Sequence, residues 1–260
     1  MGGDALRPGL AMAPRQGLVA IAALAWLALA AAGPGSALPT LCTGAMLWSL
    51  PPIGSLQAAL ALLGPERLAA GWAVMIAAMM VPLQLDLFDD LGARSLRSRR
   101  WGMIVAAAAG YFAVWLMAGL VLVPAALLLR MGAVHWLAAV LPVLGAALLW
   151  HVSPLRQSAL NACHRLPPFA AFGWRGYRDG AAIGLARAGW CVLACWAIML
   201  LLLVLPAGHF AAMALATVGL AIERAERPRP PQWGWRRPER AARALAHRID
   251  ILRQQGVTGS

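Results

Sequence analysis

The chain has 260 residues, of which 61% are hydrophobic and only 12% are charged. A soluble domain carries about a quarter charged residues, so this composition excludes a soluble globular protein. The formal net charge of +12 would suggest nucleic-acid binding in a soluble protein. Here most arginines lie between apolar blocks or in the C-terminal tail, and we therefore expect no nucleic-acid partner.

Apolar blocks of about 20 residues can each cross a ~30 Å hydrocarbon core as a helix. They predict an all-α, polytopic transmembrane bundle of about six helices. The first run also has features of a signal peptide, with small residues for cleavage at Ser36 and Ala37, but its length favours a retained helix. The predicted spans, in chain order, cover residues 17–32, 68–88, 101–129, 134–150, 180–205 and 210–222.

The arginines predict the orientation of the bundle. Segments 1–16, 89–100, 151–179 and 223–260 hold nearly all of them, and basic segments stay in the cytoplasm. Both chain ends are therefore predicted to be cytoplasmic, in a multi-pass membrane protein that is surrounded by the lipid bilayer. The predicted units are a cytoplasmic segment 1–16, a first helix and outer loop 17–67, a membrane bundle 68–224, and a basic cytoplasmic tail 225–260.

Two short helices are predicted outside the spans. The first is an interfacial helix near 56–63 in the outer loop, and the second is an amphipathic helix over 238–255 in the tail. The four cysteines are too few for a disulfide scaffold, and Cys42 alone is predicted to face the outer side.

The second predicted span holds two methionines on one face, Met75 and Met79, followed by Pro82. Proline cannot donate a hydrogen bond to the carbonyl of Ala78, so we expect a kink and a free acceptor beside Met79. Thioethers beside a loosened backbone suit a soft cation. The alternative is ordinary packing around a proline kink.

Acidic residues close that span. Asp86, Asp89 and Asp90 could hold Mg²⁺ against a diphosphate, as in a membrane transferase. The alternative is a set of interfacial acids that pair with Arg94 or Arg97.

The inner loop 151–179 contains Cys163 and His164, with His151 earlier in the loop. A thiol and imidazoles could bind a metal, but no C-x-x-C and no second Cys–His pair supports this interpretation. We expect a solvated loop here.

The fifth predicted span carries a stripe of four residues at helical spacing, Arg187, Cys191, Cys195 and Met199. Two thiols one turn apart can share one ion, and soft sulfur ligands favour Cu(I) or zinc. The alternative is that Cys and Met only fill space between helices. Arg187 either extends toward the headgroups or forms a buried pair with Asp86 or an anion.

Several motifs occur in an order that resembles a known family. The second span reads W-x-x-M-x-x-x-M-M-x-P, the third contains G-Y-x-x-x-W, and P-L-R and C-H-R lie in the inner loop. A G-x-x-x-x-G-x-C-x-x-x-C-W-x-x-M run and a closing glutamate complete the set, whose members are Trp72, Met75, Met79, Met80, Pro82, Gly110, Tyr111, Trp115, Pro154, Leu155, Arg156, Leu160, Cys163, His164, Arg165, Gly184, Gly189, Cys191, Cys195, Trp196, Met199 and Glu223.

Over residues 68–224 the chain resembles the bacterial domain-of-unknown-function 2182 family of predicted metal-binding integral membrane proteins. The resemblance implies a location in the bacterial inner membrane. The chain departs from that pattern at three places. Ala159 stands where a loop cysteine is expected, Leu193 and Ala194 replace a Gly-Cys pair, and Gly208-His209 replaces Met-Asn. These changes remove two thiolates, so His209 joins the remaining candidates.

The predicted function is non-enzymatic binding or handover of a soft metal, with Cu(I) as the first candidate and zinc as the second. The alternatives are a scaffold or assembly subunit of a membrane complex, and a transferase that uses the three aspartates. A membrane protein or metalloprotein is the expected partner. The predicted metal ligands are Met75, Met79, Cys163, Cys191, Cys195 and Met199.

Overall fold

The structure is a computed structural model that describes residues 14–31, 64–96, 98–165, 167–168, 170 and 173–236, with residues 57, 61 and 239 in isolation. The described part is all-α, as predicted, and shows no strand. Its helices are α1 (Pro14–Ala31), α2 (Pro65–Met80), α3 (Leu85–Arg94), α4 (Arg100–Met131), α5 (Trp136–His151), α6 (Pro154–Ala162), α7 (Gly173–Val204) and α8 (His209–Ala225), with a 3₁₀ turn at Pro82–Gln84 between α2 and α3.

Two of these helices are long and apolar enough to cross a membrane, α4 and α7, each with 32 residues. Within the described residues the number rises to four if each of two bent pairs, α2 with α3 and α5 with α6, forms one span. The predicted number of six stays a prediction. The predicted interfacial helix near 56–63, the amphipathic helix over 238–255 and Cys42 lie outside the described residues.

The centre of the bundle is the pair α4 and α7, which lie side by side and run in the same direction. A Cβ added at Gly180 would lie 3.2 Å from the carbonyl oxygen of Met103, and one at Gly184 would collide with the carbonyl oxygen of Ala107. Small residues thus let the two backbones touch, as is usual where membrane helices associate by packing rather than by hydrophobic burial.

The kink predicted at Pro82 is confirmed. Helix α2 ends at Met80, and the chain bends by 48° before it continues as α3. The acceptor expected beside Met79 is used by a residue that the sequence did not point to, since the indole Nε1 of Trp26 donates to the carbonyl oxygen of Ala78 at 2.9 Å. Helix α1 is thereby attached to the break in α2.

The inner loop differs from the prediction of a solvated segment. Ser153 caps α6 by accepting from the backbone N–H of Arg156 at 3.2 Å, and Pro154 occupies the first turn. Helix α6 then packs against the bundle and buries Arg156, Gln157, Ala159 and Leu160. The prediction was wrong because the apolar residues of this helix are too few to raise the average hydropathy of an arginine-rich loop.

Candidate soft-metal centre

Cys191 is the central residue of a buried polar cluster. Its Sγ accepts hydrogen bonds from the hydroxyl of Tyr111 at 3.1 Å and from Nη2 of Arg224 at 2.8 Å, and Nε2 of Gln84 lies 3.8 Å away. The thioether sulfur of Met80 lies 3.9 Å from the same Sγ. A sulfur that accepts from several donors is in surroundings suited to a thiolate, which is the form that binds metals.

Four elements bring these side chains together. Tyr111 comes from the middle of α4 and Cys191 from the middle of α7, while Met80 and Gln84 flank Pro82 at the break after α2. Arg224 is in the last turn of α8, where its Nη1 also donates to the carbonyl oxygen of Leu83 at 3.1 Å. The proline break therefore supplies a thioether, an amide and a backbone acceptor to the same cluster.

A cavity of about 140 Å³ lies directly beside this cluster. Arg224 belongs both to the cavity wall and to the surroundings of Cys191. The residues that line the cavity are mainly polar, and they are Leu83, Gln84, Asp86, Leu87, Asp90, Cys163, His164, Arg187 and Arg224. The cavity thus joins Cys163, the residue that follows α6, to Arg224, which contacts Cys191.

The predicted sulfur ligands all belong to the interior of the bundle. Met75, Met79, Cys191, Cys195 and Met199 are fully buried and belong to one core cluster. Cys195 lies one helical turn beyond Cys191 on α7. Cys163 is also buried, but it lies in the wall of the cavity.

Along the helix axes these residues are spread out. Met199 is eight residues beyond Cys191, which is about 12 Å at 1.5 Å per residue. A single ion at Cys191 is therefore within reach of Cys195 and Met80 but not of Met199.

The three aspartates divide into two groups. Asp86 and Asp90, one turn apart on α3, line the cavity together with Arg187. Asp89 instead pairs with Arg15 of α1, with its carboxylate oxygen 3.1 Å from the guanidinium at an exposed position. These contacts differ from the pairing with Arg94 or Arg97 that was expected for interfacial acids. Arg97 lies outside the described residues.

A family model described as a copper chaperone, PpoB2, matches residues 69–236. The chain belongs to this copper-chaperone family. No curated protein matches the chain, and no solved structure matches it. The match covers most of α2 and the break after it, the centre around Cys191 and the segment after α8.

In this copper-chaperone family member, a second polar network stands beside the sulfur centre. The guanidinium of Arg156 pairs with the carboxylate of Glu223, which also accepts from Nε2 of His151 at 2.9 Å. Nε of Arg156 donates to the carbonyl oxygen of Ala194 at 3.0 Å. The network links α5, α6, α7 and the end of α8, and it holds Arg224, the next residue after Glu223, near Cys191.

Several residues of the centre were absent from the predicted ligand set. Met80 and Tyr111 were part of the family motifs but had no role assigned, whereas Gln84 and Arg224 belong to no recognised motif. A charged residue at the end of a membrane helix usually contacts headgroups, so no sequence pattern indicated that Arg224 contacts the core. Ala159 and Ala194, which stand where cysteines were expected, are fully buried in the same core as Cys191.

The described residues contain no group of three or more His, Cys, Asp or Glu side chains close enough to hold a metal ion. What the centre offers is sulfur, namely two thiols and a thioether. Thiolates and thioethers select soft ions such as Cu(I), which accepts fewer ligands than the hard cations that need oxygen cages. The arrangement therefore suits a copper chaperone better than a site for magnesium or calcium.

Proposed function

We propose that this protein binds Cu(I) as cargo at Cys191, Cys195 and Met80 in the inner membrane and hands it to a membrane or metalloprotein partner. The observation that carries the proposal is the 3.9 Å between Cys191 Sγ and Met80 Sδ. Zinc–thiolate bonds are about 2.3 Å, so two sulfurs that share an ion with similar bonds lie at most about 4.6 Å apart. We also propose that this chain belongs to the domain-of-unknown-function 2182 family, because the motifs that carry the resemblance include Met80, Cys191 and Cys195.

Arg224 fits a copper site through its charge. Cu(I) held by the two thiolates of Cys191 and Cys195 forms a complex with one net negative charge. A buried net charge is costly unless an opposite charge lies close by. The guanidinium of Arg224, 2.8 Å from Cys191 Sγ, supplies that charge, so the cation supports the complex although it would repel a bare metal ion.

The cavity beside Arg224 provides the route of the cargo to the centre. Asp86 and Asp90 offset the charges of Arg187 and Arg224 in its wall, and Cys163 supplies a sulfur ligand there. We propose that Cu(I) first binds at Cys163 and then exchanges onto Cys191. In this exchange a new copper–sulfur bond forms as the previous one breaks, and the oxidation state of copper does not change.

The test is a Cu(I) competition titration of the full-length protein in detergent, with a coloured Cu(I) chelator as competitor. We expect Cys191→Ser to lose the high-affinity ion and Met80→Leu to bind it at least tenfold more weakly. Met103→Leu is the matched control, because Met103 is a buried methionine in a different part of the bundle. Equal copper retention by wild type and Cys191→Ser would contradict the proposal and favour a scaffold whose thiols only pack.

A further inference from the structure

His209, the first residue of α8, has an unusual hydrogen-bonding pattern for a buried histidine. It is 3% exposed, and its Nδ1 lies 2.7 Å from the carbonyl oxygen of Leu202. A carbonyl only accepts, so Nδ1 carries the proton and Nε2 of the neutral ring carries the lone pair. Nε2 is buried and has no hydrogen-bond partner among the residues that the structure describes. An imidazole that donates from one nitrogen to a carbonyl and leaves the other free is the usual state of a metal-ligating histidine.

Two thioethers stand on the turns next to this imidazole. Met213 follows His209 by one turn on α8, and Met199 precedes Leu202 by about one turn on α7. Both methionines are fully buried in the same core cluster. One imidazole nitrogen with thioether neighbours is a soft donor set, which suits Cu(I) rather than a hard cation.

This donor set is separate from the Cys191 centre. Residues 209 and 224 stand at opposite ends of α8, about 22 Å apart at 1.5 Å per residue. Arg224, at the far end, is the residue that contacts Cys191. The core cluster that contains Cys191, Met199 and Met213 also contains Cys195, Met75 and Met79.

We propose that Nε2 of His209, together with the thioethers of Met213 and Met199, forms a second Cu(I) site through which copper taken up at Cys191 leaves the bundle. This inference rests on the proposed function of Cys191. At each transfer a bond from copper to sulfur or nitrogen forms as the previous copper–sulfur bond breaks, and copper remains Cu(I). The negative charge of the thiolate left at Cys191 is compensated by the positive charge of Arg224. The protein thus moves its cargo from one end of the bundle to the other.

The first test counts Cu(I) ions bound to the full-length protein in detergent. We expect two ions for wild type and for the control Met103→Leu, and one ion each for His209→Leu, Met213→Leu and Cys191→Ser. Met213→Leu conserves side-chain volume, so it still tests the second site if His209→Leu fails to fold. Two ions in both Met213→Leu and a folded His209→Leu protein would overturn the second site. Two ions in Cys191→Ser, with one in Met213→Leu, would instead refute the proposed function and leave the second site standing.

The second test measures passage of copper in proteoliposomes that contain a Cu(I) chelator in the lumen. Wild type and Met103→Leu should load the chelator at the same rate, and Met213→Leu should load it at least tenfold more slowly while it still retains the ion at Cys191. Equal rates for wild type and Met213→Leu would overturn the exit role of the second site.

Discussion

The guanidinium of Arg224 lies 2.8 Å from the sulfur of Cys191 and also donates to the carbonyl oxygen of Leu83. One side chain at the end of α8 thus contacts both the cysteine of α7 and the broken segment after α2. Arg224 acts on the centre in two ways: its positive charge lies next to the sulfur, and its side chain also lines the cavity. The copper affinity and the loading rate should depend on it in different ways.

Replacement of Arg224 by Gln should weaken Cu(I) binding. Hydrogen bonds to charged groups contribute about 1.5–3 kcal/mol, so we expect the dissociation constant to rise by about tenfold to a hundredfold. Arg224→Lys keeps the positive charge and should lose less affinity. A competition titration measures both variants, and tighter binding in Arg224→Gln than in wild type would contradict the charge argument.

Cys163 should control the rate of loading more than the final amount of copper. It lines the cavity, whereas the proposed binding sulfurs are deeper in the bundle. In stopped-flow transfer from a Cu(I)–chelator complex, we expect Cys163→Ser to load at least tenfold more slowly and to reach the wild-type stoichiometry. Asp86→Asn should show a smaller decrease in rate. Loss of stoichiometric copper in Cys163→Ser would make it a permanent ligand and would refute the route.

The pair formed by Arg156 and Glu223 should matter for stability. Arg156 is almost fully buried, so Glu223→Gln leaves a buried cation without its anion, a change that costs about 3–5 kcal/mol. The double variant Arg156→Met with Glu223→Leu removes both charges and should recover part of that loss. Thermal unfolding in detergent measures the three proteins. Equal melting temperatures for Glu223→Gln and wild type would show that the pair contributes little.

The close packing of α4 on α7 predicts that two glycines of α7, Gly184 and Gly189, respond differently to replacement by alanine. A Cβ at Gly184 would collide with the backbone of α4, which cannot rotate away, and Gly184→Ala should cost about 1–3 kcal/mol of stability. Gly189, further along α7, has open space around it. Gly189→Ala should therefore be neutral or stabilising by about 0.5–1 kcal/mol, as expected for Gly to Ala in a helix. The same loss in both variants would mean that helix contact is not the cause.

The features that follow from local pattern could be predicted from the sequence. Long apolar runs predicted α4 to within two residues of its observed limits, and they predicted the end of α7 to within one residue. Helix α7 begins seven residues before the predicted span, because its first turns are too polar to be recognised as part of an apolar run. The missing N–H of Pro82 predicted the break after α2. The stripe of Cys191 and Cys195 followed from helical spacing alone. Each of these predictions needs information from only one segment of the chain.

Contacts between distant segments could not be predicted in this way. Cys191 is contacted from three other elements, by Tyr111, Gln84 and Arg224. The spacing of residues along the sequence does not show which helices face each other. The packing of α6 could not be predicted for a related reason. Arg156 belongs to an arginine-rich segment, and only its tertiary contact with Glu223 explains why it is buried. Tertiary partners, rather than local propensity, decide where these polar side chains lie.

The central claim is that Cys191 and Met80 share one copper ion, and X-ray absorption of the protein loaded with one equivalent of Cu(I) tests it most directly. We predict sulfur neighbours at about 2.3 Å, with fewer sulfurs in Met80→Leu and none from this centre in Cys191→Ser. Met103→Leu should give the wild-type spectrum. Identical sulfur scattering in wild type, Met80→Leu and Cys191→Ser would contradict the account.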